Sequence, residues 1–316
     1  MRPAALAVFV LAISSLAGTT AASNEVVSGP RLTVGDFWTY HTNTSLAAGF
    51  FLDGEITLGV SSQGPVTIEG ASYDAVQMSV TGSGTAAGTF STHLGLTPAS
   101  GRWLLTGEES LESAGLKVVS SVVDLEANGT FRTSSLPIPF LLSVQNTTTF
   151  RFFDDPWRFP AEIGNTSVVT GQMNFSEDSR LFYGFQNQTH TAGRVWWNVS
   201  YALETAIAVD SPAGHFDAYR IRETTPDGSY ALSYYAPATG NDARTESYNG
   251  TSRVATNELV SYRYQALEPR RFLGLTASQW GIVGIVTAVA SSTTVAVWIR
   301  IRRRSRGPET GSPPRG

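Results

Sequence analysis

Across residues 23–269 no stretch keeps an apolar period of 3.6 residues over three helical turns. What recurs is a short alternating or aromatic-rich run bounded by Gly, Pro, Asn or Ser, the pattern of β-strands. Strands are predicted at 34–42 (VGDFWTYHT), 54–60, 73–82 and 101–107, then at 194–203, 216–224, 229–237 and 258–267. Within 216–224, Phe216, Ala218, Arg220 and Arg222 share one face, while Tyr219 and Ile221 share the other. Thr225-Pro226-Asp227-Gly228 reads as the turn that folds this strand back on the next as a hairpin. The predicted fold is therefore all-β, with antiparallel, strongly curved sheets.

An internal repeat refines this. Tyr73-Asp74-Ala75 matches Phe216-Asp217-Ala218, Pro98-Ala99-Ser100-Gly101 matches Pro237-Ala238-Thr239-Gly240, and Val34-Gly35-Asp36 matches Ile163-Gly164-Asn165. Three matches in the same order imply two tandem β units, half-barrel or sandwich-like, over residues 23–150 and 151–269. The join falls near Ser134–Pro160, where prolines and the acidic pair Asp154-Asp155 suit a crossing segment. The run Pro212-Ala213-Gly214, then Phe216-Asp217-Ala218-Tyr219-Arg220-Ile221, a hairpin, and Tyr234-Tyr235-Ala236-Pro237 to Gly240 resembles prokaryotic secreted proteins of the periplasmic lipoprotein-carrier type. That resemblance implies a curved antiparallel half-barrel wrapped around an apolar groove.

Both ends of the chain carry membrane signals. Residues 1–22 pair Arg2 with the apolar run Ala4–Leu16 and small residues, as a secretory signal peptide does. Trp280–Ile299 holds twenty residues without a formal charge, long enough as a helix to cross the roughly 30 Å hydrocarbon core of a bilayer. Arg300, Arg302, Arg303, Arg304 and Arg306 follow it, against Arg270 and Arg271 before it, which places the basic tail 300–316 in the cytoplasm. Gly284, Ala288, Ser292 and Ala296 recur every four residues, a small-residue stripe suited to pairing of two such helices into a homo-oligomer.

Eight of the eleven asparagines lie in N-x-S/T acceptors: Asn43, Asn128, Asn146, Asn165, Asn174, Asn187, Asn198 and Asn249. That excess points to N-glycosylation outside the cytoplasm. No cysteine occurs, which excludes disulfides, thiolate metal sites and cysteine nucleophiles. Acceptor sequences without cysteine suit an archaeal surface better than an animal ectodomain. Of 22 basic residues, nine are Arg2 and the arginines from Arg270 onward; residues 23–269 keep 13 against 25 acids, a net charge of −12. Such a surface repels nucleic acid and anionic lipid.

Motifs for chemistry are sparse. His41, His93, His190 and His215 show no metal-ligand spacing with one another, and neither a nucleophile elbow nor a phosphate loop is present. His215 beside Asp217 reads as strand-edge polarity, and Asp154-Asp155 and Glu177-Asp178 as solvated turn acids. No cofactor is implied. Phe152, Trp157, Phe182, Trp196 and Trp197 are the candidate lining of a ligand groove, with core packing as the alternative for the aromatic clusters. The expectation is a non-enzymatic, single-pass, glycosylated surface protein that binds an envelope protein, glycan or lipid. The alternative is a carrier or sensor of an apolar ligand.

Overall fold

Strands make up the regular structure of residues 25–46, 50–92, 95–132, 137–183 and 186–265, which the computed structural model describes. In chain order they are β1 (Val26–Val27), β2 (Phe37–Leu46), β3 (Phe50–Ile68), β4 (Ala71–Thr92), β5 (Gly95–Glu112), β6 (Val118–Arg132) and β7 (Pro137–Asp154). There follow β8 (Ala161–Glu162), β9 (Thr166–Phe182), β10 (Gln186–Ser211), β11 (Gly214–Thr224), β12 (Tyr230–Ala236), β13 (Asn241–Asn249) and β14 (Ser252–Arg263). Twelve of them form one antiparallel ring: β2 to β7 in succession, β7 with β9, β9 to β14 in succession, and β14 back onto β2.

The sequence leaves open whether the two units share one continuous sheet, and the ring shows that they do. Each contributes six strands, but they close on each other along the β7–β9 and β14–β2 seams instead of standing as separate half-barrels or sandwiches. Closure leaves neither half with an open edge. β7 is also a full strand, so the crossing segment expected over Ser134–Pro160 shrinks to the residues after Asp154; Pro137 and Pro139 sit at the start of β7, where proline is tolerated. No helix of the described residues is long and apolar enough to cross a membrane. Residues 1–22 and Trp280–Ile299, with Gly284, Ala288, Ser292 and Ala296, lie outside the described residues.

The halves repeat each other's backbone. Gly35, at φ 92°, donates to Val60 O at 3.0 Å; Val60 N–H returns to Asp36 O at 2.8 Å and Asp36 N–H donates to Thr33 O at 3.0 Å. In the second half Gly164, at φ 88°, donates to Leu203 O at 2.7 Å, Leu203 N–H to Asn165 O at 3.0 Å, and Asn165 N–H to Glu162 O at 2.9 Å. Only glycine takes that left-handed backbone without strain, which explains the shared Gly in the matched triplets. The ladder slips beside each of these carbonyls, at Val60/Ser62 and at Leu203/Thr205, and again in the sixth strand of each half, at Phe152/Asp154 and Leu259/Ser261. Tyr73 packs edge-on against Phe152 with centroids 6.1 Å apart, and its counterpart Phe216 against Tyr262 at 6.0 Å. The third sequence match has no such basis: Pro98–Gly101 lies inside β5, whereas Pro237–Gly240 is the turn between β12 and β13.

Alternation decides which face is inside. Thr42, Asn257, Thr245, Ser233, Ile221 and Leu203 form one cross-strand row over six adjacent strands, and all six are buried. The same inner face carries Trp38, Tyr40, Leu58, Met78 and Trp103, each nearly inaccessible; burying an aromatic or large aliphatic side chain contributes about 1.5–3 kcal/mol. Outward stand Glu55, Ser79, Thr81, Arg102, Asp124 and Glu126, all exposed. The hydrophobic core lies within the ring, and the outer wall mixes these polar residues with exposed apolar ones such as Phe51, Leu104, Leu141 and Val168.

The end where β2 and β9 begin is stoppered. β1 and β8 pair as a short ribbon, and Val27, Ala161 and Trp157 pack with Tyr201, Leu203 and Ile221 of the inner face. Trp157 stacks on Tyr201 at 5.0 Å. Beside it, the β12–β13 turn is held by Trp38 Nε1, which donates to Thr239 O at 2.7 Å, and by Tyr40 OH, which donates to Asp242 O at 3.1 Å.

Candidate functional site

The five aromatics expected to line one groove are not brought together. Phe152 and Trp197 point inward, 5.7 Å apart, with Phe150 at 5.5 Å from Trp197, and Trp157 belongs to the stopper. Phe182 and Trp196 face outward, 52% and 78% exposed. Adjacent Trp196 and Trp197 fall on opposite faces as strand alternation requires. Phe152, Trp157 and Trp197 pack with the buried hydrophobic clusters, as the core-packing alternative expects.

The acceptor asparagines divide in the same way. Asn43, Asn128, Asn165, Asn187, Asn198 and Asn249 are exposed, and Asn174 is half-buried, its Oδ1 accepting from Arg194 Nε at 2.7 Å. Asn146 is the exception: it is 6% exposed, on the inner face between Val144 and Thr148, and accepts from Thr148 Oγ1 at 2.8 Å. A glycan there would have to displace the core, so Asn146 is withdrawn from the set on steric grounds. The signal was present in the sequence, since Val144, Asn146, Thr148, Phe150 and Phe152 alternate along one face.

Outer-facing residues of β13, β14, β2 and β3 frame a groove of about 370 Å³, within the range of small-ligand clefts. His41 and Asn43 line it from β2, Phe51 from β3, Arg244 from β13, and Arg253 and Glu258 from β14. Its charges are already arranged. Arg244 and Arg253 both pair with Glu246, the latter at 3.2 Å, and His41 Nε2 lies 3.2 Å from Asp53. Burial pushes the Glu246 carboxyl up, but the Tyr248 hydroxyl and Arg244 outweigh it and hold the group below its ordinary value. Arg244 Nε is buried without a hydrogen bond, 3.8 Å from Glu258. Alternating donors and acceptors beside a half-exposed phenyl ring suit a hydroxylated ligand better than a lipid. Sequence reasoning missed this groove because barrel closure alone joins residues 41–51 to residues 244–258.

Histidines pair with aspartates at the surface, His190 with Asp178 at 3.0 Å and His215 with Asp210 at 2.7 Å. His215 takes its partner across the β10–β11 ladder, and its pKa is raised first by that hydrogen bond; Asp217, the neighbour singled out in the sequence, adds only a weaker charge effect. Asp155 pairs with the buried Lys117 at 3.1 Å, and Glu177 lies on the inner face, so neither is a solvated turn acid. Among the described residues no three carboxylate or imidazole side chains converge as a metal site.

Neither a protein-family model nor a curated protein matches the chain. Among solved structures it is similar to a protein of YmcC-like fold from Bacteroides fragilis NCTC 9343, at 14% identity over 75% of this chain and 99% of the other, with a TM-score of 0.27. A score that low bears on neither fold nor function.

Proposed function

We propose that this chain is a non-enzymatic, N-glycosylated surface protein whose barrel, held to the cell by Trp280–Ile299, is a binding or structural module of the envelope. The observation that carries the reading is the build of the barrel: a hydrophobic core on the inner face, six exposed acceptor asparagines on the outside, and Asn174 half-buried beside them. Recognition therefore works from outside, with the β13–β14–β2–β3 groove as its first contact for a polar or glycan partner. The net charge of −12 over residues 23–269 supports a partner other than nucleic acid or anionic lipid. An apolar-ligand carrier is the weaker reading, because the expected lining is divided: Phe152, Trp157 and Trp197 pack with the buried clusters while Phe182 and Trp196 face outward.

The test uses the full chain, with an epitope after Arg306, in cells that glycosylate surface proteins. Protease added to intact cells digests the barrel and spares the epitope, and glycopeptide mapping finds sugar at the outward acceptors and none at Asn146. An epitope cut from outside, or a wholly unmodified chain, would overturn the reading.

A further inference from the structure

Trp196 is the most exposed large apolar side chain among the described residues, at 78%, and its ring centroid lies 5.5 Å from that of Phe153, itself 51% exposed. Arg151 lies over the Phe153 ring, its guanidinium carbon 5.4 Å from the centroid. The cross-strand row runs Trp196, Gln172, Arg151, so an amide and a guanidinium border the two rings. Asn198 stands two residues further along β10 on the same outer face, exposed, in the acceptor Asn198-Val199-Ser200. Two residues of strand span roughly 6.6 Å, close to the width of one sugar ring.

We propose that the Trp196–Phe153 patch is the seat of the saccharide carried on Asn198, an inference that rests on the glycosylation read above. A pyranose presents an apolar C–H face that lies against an aromatic ring and a rim of hydroxyls that hydrogen-bond to neighbouring amides and guanidinium groups. Trp196 supplies the ring and Gln172 the nearest amide. A protein partner fits the patch less well, since two rings fall far short of the ~800 Å² per side that a stable protein interface buries. The acceptor is already tethered beside the rings, so the sugar needs no separate encounter to reach them.

The experiment compares thermal midpoints of the full chain from a glycosylating host, with occupancy of Asn198 read by glycopeptide mass spectrometry. Asn198→Gln and Ser200→Ala each remove the acceptor, the second while keeping Asn198. Each is expected to lower the midpoint by about 2–4 °C in the parent and by less than 1 °C beside Trp196→Ala, because the sugar then loses the ring that seats it. Trp196 is exposed, so its replacement leaves the fold intact. An occupied Asn198 whose loss lowers the midpoint equally in both backgrounds overturns the seat and leaves glycosylation standing. An unoccupied Asn198 beside occupied acceptors elsewhere also overturns it. No occupancy at any acceptor defeats the glycosylation reading itself.

Discussion

Lys117, the chain's single lysine, shows how the buried β5–β6 turn selects a side chain. Its Nζ reaches Glu112 at 3.3 Å, Asp155 at 3.1 Å and the Trp157 carbonyl at 3.0 Å, so the three ammonium hydrogens find three acceptors. Arginine, used at 21 other positions, would bring five donors to the same three acceptors. The contact fastens the stopper segment to the β5–β6 turn. Glu109 is less well served. Ser121 Oγ donates to Oε1 at 3.2 Å, Oε2 has no hydrogen bond, and burial raises the carboxyl from 4.5 to about 8 against the opposing Ser121 bond. Unfolded, Glu109 loses its proton near its ordinary value; folded, it keeps the proton to about 8. The unfolded state thus binds fewer protons between those values, and Glu109 lowers stability as pH rises through that window. At about 1.4 kcal/mol per pH unit the loss reaches roughly 3 kcal/mol by pH 7. Glu109→Gln, neutral throughout, should be more stable than the parent by about 1–3 kcal/mol at pH 7 and equal to it below pH 4 in urea unfolding. A difference that does not change with pH would remove burial as the cause.

At the scale of the strand, glycine sets how closely the wall can fold on itself. Gly54 of β3 pairs with Gly84 of β4, and a Cβ on Gly84 would stand 2.1 Å from Asp53 O and 2.7 Å from Trp103 Nε1. Trp103 instead lies over both glycines and donates to Asp53 O at 3.2 Å. Gly84→Ala should therefore cost about 1–3 kcal/mol in urea unfolding, since backbone and not a movable side chain blocks the new methyl group. A loss below 0.5 kcal/mol would show that the bend relaxes freely. The same glycines mark where the sequence could and could not be read. The strand predicted at 73–82 lies in β4, but β4 continues through Gly-Ser-Gly to Thr92, because an indole from the next strand fills what the glycines leave. Local composition there reads as a loop, and only packing makes it a strand. β9 and β13 go beyond the strands named from the sequence for a related reason: polar residues such as Glu177 and Thr245 point inward, which blurs the alternation. β6, with Val123, Leu125 and Ala127 inward and Asp124 and Glu126 outward, carries a legible strand pattern that sequence reasoning missed.

The whole molecule is decided at its two seams. The duplication was legible in Gly35 and Gly164 because a left-handed backbone position demands glycine. What the halves do with each other was not legible. Pairing of β14 with β2 joins Arg263 to Phe37 and Ala255 to Thr44, and no local pattern encodes a partner more than 200 residues away. The candidate site follows the same division. The outward acceptors were visible as motifs, whereas the groove exists only because β13 and β14 lie beside β2 and β3. A half alone would expose both seam strands, β2 and β7 or β9 and β14, with their backbone donors and acceptors unpaired. It would also open the inner face to water, and with it the buried row from Thr42 to Leu203 that crosses the β14–β2 seam. Fragments 25–154 and 155–265, expressed separately, should therefore aggregate or remain unfolded, and together should give a 1:1 complex with a single cooperative melt. Sedimentation and far-UV circular dichroism of the separate and mixed fragments measure this directly. Either fragment folding alone as a cooperative monomer would show that a six-stranded half is self-sufficient and that closure is an association of finished domains.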